Sequence, residues 1–166
     1  MKNIAKTTLL ALLLGNGVFA AAGHHSDADY DGIQIKHVGH SELGDPATVL
    51  EVMSETSRAL AQGEVRVTVL ASPINPSDLL QIAGNYGVDP VLPARPGSEG
   101  VGRVTEVSSD VQTLKVGQLV LLASGSTWAE ELVAPAAGFL PLPDLGPIGA
   151  DVIEQLAMST VNPLTA

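Results

Sequence analysis

The alternation of apolar and polar residues predicts a domain built mainly from short β-strands. The clearest pattern lies at 64–69, where Val65, Val67 and Val69 alternate with polar residues, so that one face of the strand lies on a core. Weaker strand patterns bounded by Gly and Pro fall at 33–38, 49–53, 101–107, 119–122 and 128–133. The turn at Gly44-Asp45-Pro46 predicts that the first two of these form a hairpin. Residues 54–62 are polar, which is typical of a loop or a single helical turn.

Two short helices interrupt the strands. Asn75 is a favourable N-cap, Pro76 suits the first helical position, and Asp78 suits the positive end of the helix dipole. The sequence therefore predicts a helix at 76–83 that is closed by Gly84. A second helix is predicted at 148–159, after a loop at 141–147, and Asn162-Pro163 could begin one more.

A glycine cluster at 97–102 superficially resembles a phosphate-binding loop. The spacing of Gly97, Gly100 and Gly102 is not that of the dinucleotide fingerprint, and a strand rather than a helix follows. We therefore expect these glycines to serve turns and close backbone packing in a β-barrel.

Composition supports a β-rich domain and removes several classes of function. The chain has 45% hydrophobic residues, 3% aromatic residues, 17 Gly and 11 Pro, which suits short strands and many turns. The net charge of −10 argues against a nucleic-acid partner. The absence of Cys excludes disulfides, a Cys-based zinc site and a thiol nucleophile.

The N-terminal residues have the layout of a secretory signal peptide. Lys2 and Lys6 precede an apolar run that is too short to span a bilayer, and small residues at 20–22 suit cleavage before Gly23. We therefore expect a leader at 1–22 and an exported protein, periplasmic or secreted. If these residues instead form a buried helix or a leader that does not function, the protein is cytoplasmic. An acidic and His-containing linker is expected at 23–32, and a weak cation site there is the alternative.

Six motifs in a fixed order indicate a family. They are 74–78 (INPSD), 84–86 (GNY), 96–102 (PGSEGVG), 114–117 (LKVG), 127–128 (TW) and 161–166 (VNPLTA). This series resembles the N-terminal, GroES-like catalytic domain of the medium-chain dehydrogenase/reductase superfamily. Its 2-enoyl thioester reductases are most similar, and its quinone oxidoreductases are next. The resemblance covers 33–166 and implies a mainly β fold with short helices, a partly open antiparallel barrel.

Two positions bear on the choice of branch. Zinc-containing alcohol dehydrogenases carry Cys where this chain has Asn75 and His where it has Ser98, and neither replacement is a competent zinc ligand there. The resemblance therefore implies no metal and an NADPH-dependent, zinc-independent reduction. Asn75 also has its ordinary role as a helix cap, and Ser98 could simply fill a turn.

The resemblance also assigns roles to individual residues. Tyr86 would be the catalytic proton donor, or the hydroxyl that orients a thioester, because a phenol can hydrogen-bond a developing enolate. Asn75 and Trp128 would lie in the substrate pocket, and Asn162 would lie near the nicotinamide once a Rossmann domain completes the site. A loop Tyr and a core Trp that merely pack are the structural alternatives.

The family's cofactor-binding Rossmann domain is expected after residue 166 and is missing from this sequence. We therefore expect the substrate-side domain of an oxidoreductase that reduces an activated C=C bond of an enoyl thioester or quinone, inactive alone. A separate Rossmann-domain chain or a homo-oligomer would complete it. The alternative is an exported, non-enzymatic β-barrel module that binds a small apolar ligand or a protein partner.

Overall fold

The computed structural model describes Tyr30 and residues 32–161, which form seven strands and three short α-helices. The strands are β1 (Gln34–Gly39), β2 (Glu51–Thr56), β3 (Glu64–Ala71), β4 (Gly100–Val107), β5 (Leu119–Leu122), β6 (Glu131–Pro135) and β7 (Phe139–Pro141). The helices are α1 (Pro46–Val49), α2 (Pro76–Ile82) and α3 (Ala150–Ala157). The predicted leader at 1–22, nearly all of the predicted linker at 23–32, and Asn162 lie outside the described residues.

Five strands form one antiparallel sheet in the order β6-β3-β4-β5-β7, which curls into a partly open half-barrel. Apolar side chains from its strands and connections pack into one core; they include Val65, Val67, Val104, Leu114, Val120, Leu122, Leu132 and Phe139. Strands β1 and β2 form a separate hairpin, joined to the sheet by an isolated bridge between His37 and Ala129. The predicted fold class and the opening hairpin are confirmed.

The predicted strand at 49–53 is wrong at its beginning. Residues 46–49 form α1, because the Asp45 carboxylate accepts a hydrogen bond from the amide of Ala47 (2.9 Å) and Pro46 occupies the first turn. Strand β2 then extends to Thr56, opposite Gln34 of β1. Residues 54–56, expected in a loop, are therefore strand.

The predicted strand at 128–133 also begins too early. Strand β6 starts at Glu131, opposite Thr68 of β3, and continues to Pro135. Trp128 precedes it in a loop, where its indole N–H donates to the carbonyl of Pro73 (3.0 Å). The short strand β7 was not predicted, and the last helix is shorter at both ends than the predicted 148–159.

Close packing explains the glycine cluster, as predicted. A Cβ atom on Gly102 would lie 2.4 Å from Cγ1 of Val67, and one on Gly100 would lie 2.7 Å from the carbonyl oxygen of Ala71. Both distances are shorter than atoms can approach, so β4 needs glycine at these positions to pair with β3.

The sheet also buries a charged group. Arg66 lies between Val65 and Val67, but on the other face of β3 and only 5% exposed. Its guanidinium donates to the carboxylates of Glu106 and Glu131 and lies over the ring of Tyr30, 4.4 Å from its centroid. Burial and a hydrogen bond to Glu106 raise the pKa of Tyr30 to about 12. The buried valines confirm the predicted core face, and Arg66 shows that the opposite face of β3 is covered at this position as well.

No helix among the described residues is both long enough and apolar enough to cross a membrane.

Candidate active site

Helix α2 is positioned by polar contacts at its first turn. Asn75 is the N-cap, as predicted, and its backbone N–H donates to the carboxylate of Asp78 (2.9 Å). The other oxygen of that carboxylate accepts a hydrogen bond from the Ser98 hydroxyl. Ser98 therefore does more than fill a turn, because it joins the glycine-rich segment to the start of α2.

The end of α2 directs the following loop outward. The amide of Asn85 donates to the carbonyl of Leu80 (2.8 Å) and that of Gly84 donates to Gln81 (3.1 Å), which is the Schellman arrangement. Gly84 has a φ of +74°, which glycine adopts without strain. The chain thus turns sharply, and Tyr86 lies in the loop with 53% of its surface exposed.

Glu99 is completely buried beside this helix. Its Oε1 accepts a hydrogen bond from the side-chain amide of Asn75 (3.1 Å). Its Oε2 accepts hydrogen bonds from the amide of Thr160 (3.0 Å), the hydroxyl of Thr160 (2.7 Å) and the amide of Val161 (2.7 Å). Burial favours the neutral acid, but the hydrogen bonds from Val161, Thr160 and Asn75 outweigh it and lower the pKa of Glu99.

The backbone of Glu99 is held as firmly as its carboxylate. Its carbonyl oxygen accepts hydrogen bonds from the hydroxyls of Ser72 and Thr127, both 2.8 Å long. Trp128 follows Thr127 and is only 6% exposed. The indole of Trp128 packs so close to Gly97 that a Cβ atom there would lie 2.5 Å from Cδ1 of the ring. The loops that carry Ser72, Glu99 and Thr127 therefore form one hydrogen-bonded unit.

An open cleft of about 1000 Å³ lies beside this unit. Gly97, Ser98, the loop at 123–126 and Gln81 of α2 contribute to its wall. Gln81 also lines a smaller open cavity with Tyr86, Gly87 and Val88. The Tyr86 side chain and the Ser98 segment thus lie on neighbouring surfaces that share Gln81.

Residues 61–144 match the family described as the alcohol dehydrogenase GroES-like domain, which is about half of the chain. The chain belongs to this family. The resemblance to the N-terminal domain of medium-chain dehydrogenases and reductases is therefore confirmed.

Individual members of the superfamily are similar over most of this chain. The human mitochondrial enoyl-[acyl-carrier-protein] reductase is 36% identical over 157 residues, which is 93% of this chain and 41% of that protein. The structure of Candida tropicalis Etr1p with NADP and crotonyl-CoA has a TM-score of 0.70 at 32% identity and covers 80% of this chain and 42% of its own. A Bacillus thuringiensis protein assigned to the NADPH:quinone reductases has a TM-score of 0.70 at 36% identity, over 81% of this chain and 39% of its own. The chain thus spans about two-fifths of the length of the relatives it matches.

The GroES-like domain brings some of the predicted site residues together. Asn75 and Trp128 lie in the same region, since the Asn75 side chain bonds the Glu99 carboxylate and the Trp128 indole bonds the carbonyl of Pro73, two residues before Asn75. Tyr86 stands apart at the exposed end of the loop after α2. Asn162 follows Val161 directly, outside the described residues.

The side chains at the two positions that matter for zinc do not fit this metal. The amide of Asn75 donates to Glu99, and the hydroxyl of Ser98 donates to Asp78, so both groups have protein partners. Among residues 32–161, no three His, Asp or Glu side chains come together in a way that could hold a metal ion. The donor set is thus a hydrogen-bonded network, which is not the ligand set of a zinc centre.

Sequence reasoning missed Glu99 as a site residue. In the sequence it is only one residue of a glycine-rich motif, and its partners Thr160 and Val161 are more than sixty residues away. The signal that could have drawn attention to it is a carboxylate between two small residues, Ser98 and Gly100, directly before a predicted strand.

Proposed function

We propose that this chain supplies the substrate side of a zinc-independent, NADPH-dependent reductase that acts on an activated C=C bond. The observation that supports this most directly is the exposed Tyr86 residue, whose surface adjoins the cleft through Gln81, in a chain 36% identical to an enoyl reductase over 157 residues. An enoyl thioester is the preferred substrate class, and a quinone is the second.

The chemistry of such a reduction fits a phenol in this position. NADPH, when bound, supplies a hydride to the β-carbon. Negative charge then develops on the thioester oxygen as an enolate, and a proton must reach the α-carbon. The Tyr86 O–H would stabilise the oxygen by a hydrogen bond or deliver that proton, which water would then replace. Asn75 and Trp128, which are both only 6% exposed, would shape the pocket from directly behind its wall, and the Glu99 network would keep that wall rigid.

The cofactor would be held mostly by residues beyond those described. Residues 32–161 form antiparallel strands and short helices, with no parallel sheet of the kind that binds dinucleotides. We propose that a Rossmann domain, in a longer form of this protein or in a separate chain, supplies the pyrophosphate site. Asn162 would then lie near the nicotinamide. Assembly of this domain as a homo-oligomer is a further possible arrangement.

A polypeptide of these 166 residues is therefore expected to oxidise no NADPH when it is mixed with an enoyl thioester or a quinone. The measurement is the absorbance of NADPH over time, together with calorimetric titration of the cofactor. A full-length relative serves as the positive control. Turnover, or micromolar binding of NADPH, by the isolated chain would show that the cofactor site does not need a second domain.

Tyr86→Phe tests the role of the hydroxyl in the protein completed with a nucleotide-binding domain. We expect kcat to fall about 10²–10⁴-fold, the usual range for loss of a general acid, with little change in stability. Tyr30→Phe is the matched control, because Tyr30 is the other Tyr of the chain, and its hydroxyl bonds Glu106 and has no role in the proposed reaction. Unchanged kcat in Tyr86→Phe would remove Tyr86 from the mechanism.

A second function is favoured by one observation. Apolar side chains around α2 are unusually exposed, with Ile74 at 66%, Val88 at 81% and Val91 at 90%. An exported, non-enzymatic module could use this surface to bind a small apolar ligand or a protein partner. Apolar-ligand binding that Tyr86→Phe leaves unchanged, without reductase activity in any completed form, would favour this alternative.

We further propose that residues 1–22 are a signal peptide, that 23–32 are a linker, and that the domain at 33–166 is exported. The charge and small-residue pattern of the leader supports this. Sequencing of the mature N-terminus tests it: a start at Gly23 is expected, whereas an intact leader on a cytoplasmic protein would contradict it.

A further inference from the structure

Glu99 is a buried carboxylate without a cation. Among the ion pairs of the described residues, none includes it, although it has no exposed surface. Taking a charge out of water is costly, so buried carboxylates normally face Arg or Lys. Here hydrogen bonds alone compensate the charge, and three of the four come from Thr160 and Val161.

Those two residues follow α3, which packs lightly on the barrel. Of its eight residues only Ala157 is buried, and its N-cap, Gly149, has no side chain that could cap it. The polar contact with Glu99 thus attaches the chain to the domain where it leaves α3. The other end of the contact is Asn75, at the start of α2.

We propose that Glu99 is a positioning residue that fixes the chain leaving α3 against the Asn75 loop. It thereby sets the position of Thr160 and Val161, from which the chain continues, relative to the substrate side. The hydroxyls of Ser72 and Thr127 bond the backbone carbonyl of Glu99, so the position from which the Glu99 side chain extends is fixed. The attachment itself is independent of the reaction, whereas its effect on turnover rests on the proposed function.

Hydrogen exchange of the whole 166-residue chain tests the attachment. Glu99→Gln keeps the shape but removes the charge and replaces one acceptor oxygen by a donor. We expect the amides of Thr160 and Val161 to exchange at least tenfold faster, while the amide of Val104 in β4 keeps its rate. Unchanged rates at Thr160 and Val161 would overturn the inference, as would equal acceleration at Val104, which indicates general loosening.

A milder variant keeps the test decisive if Glu99→Gln does not fold. Thr160→Val removes only the hydroxyl that bonds Oε2 and keeps the volume and the backbone amide. We expect Val161 alone to exchange about threefold faster or more; no change there would overturn the inference.

A kinetic measurement separates positioning from simple structural support. In the protein completed with a nucleotide-binding domain, Glu99→Gln is expected to raise the KM for NADPH at least fivefold and to leave the KM for the thioester nearly unchanged. Loss of active protein alone would lower kcat and leave both KM values unaltered, which would contradict a positioning role. The exchange experiment does not require enzymatic activity. It therefore tests the attachment even if the proposed reaction is wrong.

Discussion

Replacing Arg66 by methionine is expected to lower the free energy of unfolding by about 3–5 kcal/mol, the range found when one partner of a buried ion pair is removed. The Arg66 side chain is only 6% exposed, and the carboxylates of Glu106 and Glu131 that it contacts are each 18% exposed. Methionine fills much of the same volume but leaves both carboxylates without their cation. Urea unfolding followed by circular dichroism measures the loss.

Arg95→Met is the matched control for this substitution. Arg95 pairs with Glu55, whose side chain is half exposed, so water can solvate the carboxylate that remains. A loss below about 1 kcal/mol is expected. Adding Glu106→Gln and Glu131→Gln to Arg66→Met should recover part of the stability, because the uncompensated charges are then gone. Further destabilisation by these two changes would show that the carboxylates are not the cause.

Arg66 also illustrates what periodicity can and cannot predict. The alternation around Val65 and Val67 identified the strand and its core face, since the side chains of a strand point to opposite faces in turn. The same pattern assigns Arg66 to solvent. That face is covered by the ring of Tyr30. Tyr30 is distant from Arg66 in the sequence, so the local pattern cannot predict this contact.

Local chemistry predicted α2 better than it predicted the elements near it. Asn75, Pro76 and Gly84 carry their signals within one short segment, and the helix begins and ends close to where they place it. The analogous signal of Asp45 and Pro46 predicts a turn, whereas the structure has the short helix α1 there. Strand β6 was placed too early because its limits depend on pairing with β3, which is a long-range contact.

In the candidate site, too, local signals could be predicted from the sequence and long-range contacts could not. The resemblance identified Asn75, Tyr86 and Trp128 from motifs, and the structure then shows that Asn75 and Trp128 are linked through the surroundings of Glu99. Two of the hydrogen bonds to the Glu99 carboxylate could not be predicted, because they come from the backbone amides of Thr160 and Val161, which any residue type except Pro would supply. Contacts made by the backbone carry little sequence signal, whereas caps and turns carry much.

Gly97→Ala is expected to destabilise the domain by about 2–5 kcal/mol, from two additive costs. Gly97 has a φ of +102°, which costs a residue with a Cβ atom about 1–2 kcal/mol. The new methyl group would also lie 2.4 Å from Oγ1 of Thr127 and 2.5 Å from Cδ1 of Trp128, and such overpacking costs about 1–3 kcal/mol. Chemical unfolding measures the sum.

The fluorescence of Trp128 separates these two costs, because it is the only Trp in the chain. Gly117→Ala is the matched control: Gly117 has a φ of +87°, and a Cβ atom there would meet nothing within 4 Å. Gly117→Ala should lower the free energy of unfolding only by the cost of the backbone conformation, about 1–2 kcal/mol, and leave the Trp128 emission unchanged. Gly97→Ala should also shift the emission, since the indole must move away from the methyl group. Equal losses and unchanged emission in both variants would mean that Gly97 is required for its backbone angle alone and that the cleft wall tolerates a larger residue.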